Sequence, residues 1–309
     1  MKKKIANRTL KLKNFLRDDI WELELEELSK ARARFIKYMK VLIITIKTFS
    51  TEKIGFQAVA LSFFSTMSVI PFIAIMFAVT GGLGLAHRLE TFLYGYFKNS
   101  EQTLDFIVGA ADNIINTSLG GGMGLVSGLL FVWIVIWMML SVERVFNNVW
   151  KVRKSRNIFK RISYIIAMLI IAPFVMMIFF SGNILYSHLL ESIGLDPETF
   201  GIFKTLISWT LFAVAATFTF SAMYKFIPNA VVKYGNALRA AIPAAIAFTV
   251  VNYMYLETQV FVTRLNAIYG VFAAVPLFMV WINVGWYLIL IGSELSYAFQ
   301  NVDNYNIDE

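Results

Sequence analysis

The sequence has 309 residues, 58% of them hydrophobic, with a mean hydropathy of +0.64. A soluble globular domain is about 45–50% apolar, so the composition excludes an ordinary water-soluble protein, and the absence of cysteine excludes disulfides, thiolate nucleophiles and zinc–cysteine sites. The net charge of +8 is concentrated beside apolar segments, so it fits membrane orientation and contact with anionic lipid head groups rather than nucleic acid.

Residues 1–55 form a basic N-terminal extension that is expected to lie in the cytoplasm. Its first part, residues 1–17, carries seven lysines and arginines. In residues 31–50, apolar side chains recur at steps of three and four, which predicts an amphipathic helix lying in the cytoplasmic interface. The apolar side chains of this amphipathic helix are Phe35, Met39, Leu42, Ile46 and Phe49. No signal peptide is evident, so we expect the first apolar segment, which follows the extension, to target the chain to the membrane.

Six apolar segments follow, each long enough to cross about 30 Å of hydrocarbon as a helix. The pattern predicts an all-α polytopic membrane protein, in which a six-transmembrane-helix bundle at residues 56–300 carries amphipathic interfacial helices. A short acidic tail, residues 301–309, follows it into the cytoplasm. Four prolines within or near the segments predict kinks. The segments are 56–80, 124–143, 162–187, 203–224, 238–260 and 270–299, and the prolines are Pro71, Pro173, Pro243 and Pro276.

Lysine and arginine are distributed unequally between the loops. Twenty-four of these residues lie in the N-terminal extension and in the alternating loops on its side of the membrane, and four lie in the other loops. The positive-inside rule therefore predicts a cytoplasmic membrane protein with both termini in the cytoplasm. Residues 81–123 then form the one large loop on the other side, where helical spacing predicts one or two amphipathic helices resting on the outer surface or capping the bundle.

Small and hydroxyl-bearing side chains share one face of the first span. Four of them fall within about 100° of one another on a helix that turns 100° per residue. Such residues let membrane helices approach closely and hydrogen-bond across the contact, and they also suit the polar lining of a substrate path. Both interpretations fit this face, which consists of Ala58, Ser62, Ser65 and Thr66.

A polar cluster stands at the cytoplasmic end of the second span. Glu143, Asn147 and Trp150 share one face of the helix, and Arg144 and Asn148 share the neighbouring face. These side chains either anchor the helix end at the lipid interface, where long side chains snorkel toward water, or line a vestibule that opens to the cytoplasm.

The last span contains an intramembrane carboxyl, Glu294. Asn283, Tyr287 and Glu294 fall on one face because eleven residues make close to three helical turns. A carboxylate within a span is costly and faces a partner in the protein interior, so we predict an ion pair between Glu294 and Arg144 or another basic residue of the 144–161 loop. Structural locking of the helices and a proton or substrate role both fit such a pair.

Six short motifs follow one another along the membrane part: ALSFFSTMSVIP at 60–71, FNNVW at 146–150, IP at 227–228, YG at 269–270, Trp281, and GSEL at 292–295. Their sequence and order resemble those of the BrkB/YihY family of bacterial inner-membrane proteins, over about residues 56–300. The resemblance implies a six-helix inner-membrane protein with little established chemistry. Family members have carried the labels ribonuclease BN, serum-resistance factor and transporter, and some have been linked to the handling of envelope lipids.

Two functions fit these features. The first is transport, or assistance in moving an amphipathic or lipid-like envelope molecule, which suits the polar helix faces and the basic cytoplasmic surface. The alternative is a non-transporting scaffold or envelope-integrity protein whose polar residues only pack helices. The candidates for a substrate path or polar cluster are Ser62, Ser65, Glu143, Arg144, Asn147, Asn283, Tyr287 and Glu294.

We expect neither an enzyme nor a cofactor or metal site. Ribonuclease chemistry needs clustered metal ligands or a paired general acid and base. The acidic residues that cluster, within 22–27, belong to a charged N-terminal segment with no histidine near them in sequence. The expected partners are membrane lipids with anionic head groups, and small-residue faces permit a homodimer but equally explain packing within one subunit.

Overall fold

A computed structural model of the chain describes residues 20–22, 29–96, 101–118, 122–154, 156–180, 201–263 and 267–305. Within these ranges the regular structure is entirely helical, which confirms the prediction of an all-α protein. The helices of the described ranges are α1 (Ile20–Glu22), α2 (Lys30–Thr51), α3 (Ile54–Gly82), α4 (Ala86–Tyr96), α5 (Glu101–Ser118), α6 (Gly122–Val149), α7 (Ile158–Phe180), α8 (Gly201–Phe226), α9 (Tyr234–Thr263) and α10 (Ala267–Asn301).

Six of these helices are long and apolar enough to cross a membrane, which confirms the predicted polytopic architecture. The second span continues to Val149, beyond its predicted end at 143, so the polar cluster there lies on a helix. The part of the third predicted segment after residue 180 lies outside the described residues. The apolar stretches are Ile54–Gly82 in α3, Val126–Val149 in α6, Ile158–Ile178 in α7, Leu206–Phe226 in α8, Tyr234–Thr258 in α9 and Pro276–Asn301 in α10.

Each of the four prolines noted in the sequence lies inside a spanning helix. Proline lacks a backbone N–H, and its ring opposes the carbonyl four residues earlier. The helices nevertheless continue past their prolines, as membrane helices do when neighbouring groups satisfy the freed carbonyl.

Close packing of α8, α9 and α10 forms one side of the bundle, and α3 packs against both α6 and α10. Small residues permit this approach, as is usual between membrane helices. On α10, a Cβ at Gly292 would overlap the hydroxyl of Tyr224 on α8 and crowd Ala244 on α9. The alanines that α9 buries in this core are Ala237, Ala240, Ala241, Ala244 and Ala245.

The two helices of the 81–123 segment, α4 and α5, cap the C-terminal half of α3. Leu89, Leu93 and Leu104 are buried in one cluster with Met76 and Phe77 of α3. The amphipathic spacing in this segment therefore supplies one apolar face per helix that covers the end of the bundle, and capping, rather than rest on a surface alone, is the arrangement observed.

The amphipathic helix predicted at residues 31–50 is α2, and the two faces of this helix have different surroundings. Val41 and Ile44 are buried against Ala298 of α10. The apolar stripe noted in the sequence points the other way, with Phe35 and Ile46 about two-thirds exposed. A helix that packs on the bundle with one face and presents an apolar stripe with another is typical of an interfacial helix.

Charged side chains hold α2 to the end of α10. The ammonium of Lys37 lies 2.8 Å from the carboxylate of Asp303. Lys40 is buried in the same contact, 5.6 Å from the centre of the Trp21 ring. Burial lowers the pKa of Lys40, and the nearby Asp303 carboxylate opposes that shift.

Candidate functional site

The polar face of the first span meets the polar face of the last. Asn283 Nδ2 on α10 donates a hydrogen bond to Ser62 Oγ at 3.3 Å, and Ser62 Oγ donates to the carbonyl of Val59 at 2.7 Å. One turn further along α10, Trp286 Nε1 donates to Ser65 Oγ at 2.9 Å. Because both serines are buried and hydrogen-bonded, this part of the α3–α10 contact is a packed helix interface.

Tyr287 lies beside the start of α3. A Cβ at Gly55 would lie 3.1 Å from the Tyr287 hydroxyl, and the Tyr287 ring lies 6.1 Å from the ring of Phe49 on α2. The absence of a side chain at Gly55 therefore makes room for the tyrosine, which joins α2, α3 and α10.

The cluster at the end of α6 contains a buried ion pair. Glu143 is 2% exposed, and its carboxylate accepts a hydrogen bond from Arg161 Nε of α7 at 2.9 Å. Arg144 is exposed on the neighbouring face of α6. Arg161 is thus the partner of the Glu143 carboxylate, and the sequence alone did not identify this partner.

Asn147 connects α6 to the short segment between α8 and α9. Its side-chain Oδ1 accepts a hydrogen bond from the backbone N–H of Asn229 at 2.7 Å, and Asn229 Nδ2 donates to the carbonyl of Lys154 at 2.9 Å. Gln300 of α10 binds the same segment, because its Oε1 accepts from the N–H of Lys233 and its Nε2 donates to the carbonyl of Val231. These contacts tie the two loops and the end of α10 together.

Glu294 lies on α10 between Trp286 and Gln300, and the predicted ion pair with Arg144 is wrong. Glu294 is 0% exposed, and neither carboxylate oxygen has a hydrogen-bond partner among the described residues. Arg144 points to the outside of α6. Lys151, a basic residue of the same loop, interacts electrostatically with Glu294, but its ammonium lies over the rings of Tyr297 and Tyr305 rather than in a salt bridge.

Other buried polar groups at this end of the bundle share the property of Glu294. The hydroxyls of Ser293 and Ser296 are fully buried on α10, and the hydroxyl of Tyr224 is fully buried on α8. None of these three hydroxyls has a hydrogen-bond partner among the described residues. Leaving a buried polar group unsatisfied costs about 1–3 kcal/mol. We call Glu294, Ser293, Ser296 and Tyr224 the unsatisfied cluster.

Comparison with known proteins gives a consistent identification. The family model of the virulence factor BrkB matches residues 45–308. The chain is 28% identical over 249 residues to a UPF0761 membrane protein of Chromohalobacter salexigens, and the alignment covers 77% of this chain and 58% of the relative. It is 25% identical over 277 residues to a UPF0761 membrane protein of Chlorobium limicola, and this alignment covers 88% of this chain and 60% of the relative.

A third relative, the UPF0761 membrane protein of a Janthinobacterium species, is 26% identical over 258 residues, covering 80% of this chain and 56% of the relative. The chain thus spans somewhat more than half the length of these curated relatives. No solved structure matches the chain significantly.

Proposed function

We propose that this chain, which belongs to the virulence factor BrkB family, transports or assists the movement of an amphipathic or lipid-like envelope molecule. We place it in the bacterial cytoplasmic membrane with both termini inside, on the distribution of its lysines and arginines. In this proposal the protein moves its substrate without changing it chemically, and anionic lipid head groups are its partners at the cytoplasmic face.

The observation that carries the proposal is the state of the Glu294 carboxyl. An ionisable side chain within a span is costly, and such residues mark pathways for ions or substrates. Buried charges that serve structure are paired, as Glu143 is with Arg161. Glu294 is buried more completely than Glu143 and has no such pair among the described residues. Helix packing does not explain why a carboxyl occupies this buried position, so we assign the Glu294 carboxyl to the transport function.

Glu294 lies where closely packed helices leave polar groups without a partner among the described residues. α10 is fixed to α3 by the hydrogen bonds of Asn283 and Trp286. Two turns further on, α10 contacts α8 at Gly292, whose lack of a side chain makes room for the Tyr224 hydroxyl. The polar groups of the unsatisfied cluster, which bind no described residue, are therefore available to bind a polar head group or a proton.

The scaffold function is the second candidate, and the hydrogen bonds of the other predicted site residues favour it. Ser62, Ser65 and Asn147 each bind a group on a neighbouring element, and Glu143 is paired. A protein that only maintained the envelope would use its polar residues in this way. The two candidates differ in what they predict for lipid movement.

A lipid-movement assay separates them. The full-length chain is reconstituted into liposomes with fluorescent phosphatidylglycerol, and movement between leaflets is followed by chemical quenching of the outer leaflet. We expect movement above that of protein-free liposomes, and a loss of at least about tenfold in Glu294→Gln, which corresponds to 1.4 kcal/mol or more. The matched control is Glu257→Gln, the same change at an exposed carboxyl of α9.

Preservation of the fold in both variants is checked by helical circular dichroism and by monodisperse elution in detergent. Wild-type protein that moves no phosphatidylglycerol above the protein-free level contradicts the transport proposal and favours the scaffold. Equal movement by wild type and Glu294→Gln removes the role assigned to Glu294.

A further inference from the structure

A cavity of about 750 Å³ lies outside the unsatisfied cluster, between the start of α7 and the segment that joins α8 to α9. Its walls include three cationic side chains, those of Lys154, Arg156 and Lys160, and the apolar rings of Phe159 and Phe226. The apolar stretch of α7 begins at Ile158 and that of α8 ends at Phe226. The cavity is therefore situated where two spans meet the boundary of the membrane.

The positive charge of this cavity is not neutralised by the described residues. No carboxylate lines it, and Lys154 and Lys160 form no salt bridge with a described residue. The carboxylate of Glu143 interacts electrostatically with Tyr164 in the cavity wall, but this carboxylate is already paired with Arg161. An anion entering the cavity meets a net positive wall.

Arg156 is held in place before any ligand arrives. Its Nη2 donates to the carbonyls of Phe226 and Pro228 at 2.7 and 3.1 Å, and its guanidinium lies 4.5 Å from the centre of the Tyr164 ring. Its Nη1 is buried and has no hydrogen-bond partner among the described residues. Because Nη2 is already bound and Nη1 is buried, the guanidinium contributes a fixed positive charge to the cavity wall, and it loses little freedom when an anion binds.

The start of α7 adds a second source of positive potential. The helix runs from Ile158 to Phe180, and the first backbone hydrogen bond at its start joins the N–H of Arg161 to the carbonyl of Asn157. The preceding N–H groups of the first turn have no intrahelical partner, and helix starts of this kind attract phosphate and other anions. Asn157 and Lys160, which flank these groups, both line the cavity.

The rim of the cavity is apolar on the membrane side. Phe159 is 80% exposed and Phe226 is 56% exposed, although both stand at the ends of apolar spans. Exposed isoleucines continue this surface along α7, at Ile162 and Ile166. Side chains of this kind suit an acyl chain rather than water.

We infer that this cavity binds the phosphate head group of an anionic phospholipid, with the acyl chains lying along the exposed face of α7. The identification of this lipid as the transported molecule rests on the proposed function, whereas its binding does not. Lys154 and Lys160 contact the phosphate oxygens, the fixed guanidinium of Arg156 adds positive charge to the wall, and Phe159 and Phe226 contact the start of the acyl chains.

A binding assay on the full-length chain in a neutral detergent tests the site. Fluorescent phosphatidylglycerol is the probe, and fluorescence anisotropy gives its Kd. We expect Lys154→Gln/Lys160→Gln to bind the probe about tenfold more weakly or worse, because charge-assisted contacts to the phosphate are lost. The matched control is Lys30→Gln/Arg34→Gln, which removes the same charge from exposed positions of α2 and should change the Kd by less than about twofold.

Two further arms identify the ligand. Inorganic phosphate should compete only weakly with the probe, and Phe159→Ala should weaken binding of the phospholipid but not of water-soluble glycerol phosphate. Competition by inorganic phosphate as strong as that by unlabelled phosphatidylglycerol overturns the lipid assignment. Equal weakening by the two double variants shows general attraction to a basic protein and overturns the site.

The Glu294→Gln variant distinguishes a failure of the binding site from a failure of the transport proposal. We expect it to bind the probe like the wild type, because Glu294 does not line the cavity. If the wild type binds the probe through Lys154 and Lys160 but moves no lipid, the transport proposal fails and the binding site stands. If lipid moves but Lys154→Gln/Lys160→Gln binds normally, the binding site fails alone.

Discussion

The inward face of α10 has two parts that differ in how their polar groups are used, a first half around residues 283–286 and a second half around residues 292–298. In the first half, Asn283 and Trp286 donate hydrogen bonds to serines of α3. In the second half, Ser293, Glu294 and Ser296 are completely buried and bind no described side chain or backbone group. The same helix thus contains polar residues that stabilise the bundle and polar residues that reduce its stability. Polarity within a span therefore does not identify a functional residue until its partners are known.

The largest effect is expected at Gly292, where the second half of α10 packs tightly against α8 and α9. Gly292→Ala should lower the free energy of unfolding by about 3 kcal/mol, because the new methyl group overlaps the Tyr224 hydroxyl. Titration with SDS in mixed micelles measures the change. Tyr224→Phe in the same chain should restore part of the loss, and an unaffected stability would show that α8 and α10 are loosely packed there.

The ion pair of α6 and α7 gives the next largest effect. Arg161→Gln should cost about 2 kcal/mol, because it leaves the buried Glu143 carboxylate without its partner. The exposed Arg144 next to it is the control, and Arg144→Gln should change stability by less than about 0.5 kcal/mol. The same unfolding titration measures both, and equal losses would mean that Glu143 uses both arginines.

A smaller effect is expected in the first half of α10. Trp286→Phe removes the hydrogen bond to Ser65 and should cost about 1 kcal/mol. Combining it with Ser65→Ala completes a double-mutant cycle, in which a coupling of about 0.6 kcal/mol is expected. Additive losses from the two changes would show that the serine and the tryptophan do not stabilise each other.

The smallest effect concerns Lys40, where α2 packs on the second half of α10. Because burial lowers the pKa of Lys40 in the folded protein, the unfolded chain binds more protons at alkaline pH, and stability rises with pH toward the usual lysine pKa of about 10.4. We expect this gain to be smaller than the effect at Trp286, because the Asp303 carboxylate opposes the shift. Thermal unfolding across this pH range should show the rise in stability in wild type and no such rise in Lys40→Met. A fall in the stability of the wild type would contradict a lowered pKa of Lys40.

The sequence predicted the elements of this fold well because each is recorded in a local pattern. Apolar stretches of spanning length gave all six spans, and three-and-four spacing gave α2, α4 and α5. Boundaries shifted where polar residues continue a helix, as between residue 143 and Val149 of α6. Spacing along the chain also placed Ser62 and Asn283 each on the correct face of its own helix.

Partners between helices were much harder to predict. Spacing assigns a residue to a face but does not say which helix lies opposite that face. Glu294 and Arg144 were paired because both lie toward one side of the membrane, yet Arg144 is exposed and its neighbour Glu143 binds Arg161. Asn229 and Arg156 were missed because they lie in irregular segments, where no period marks a buried face.

The role proposed for Glu294 depends on its being a buried carboxyl that the fold does not use. The most direct measurement is the free energy of unfolding of Glu294→Leu relative to wild type, by SDS titration in mixed micelles. Because the substitution removes a buried polar group without a protein partner, we predict unchanged or increased stability together with loss of lipid movement. A loss of stability of more than about 2 kcal/mol would show that Glu294 stabilises the bundle, and would contradict the account.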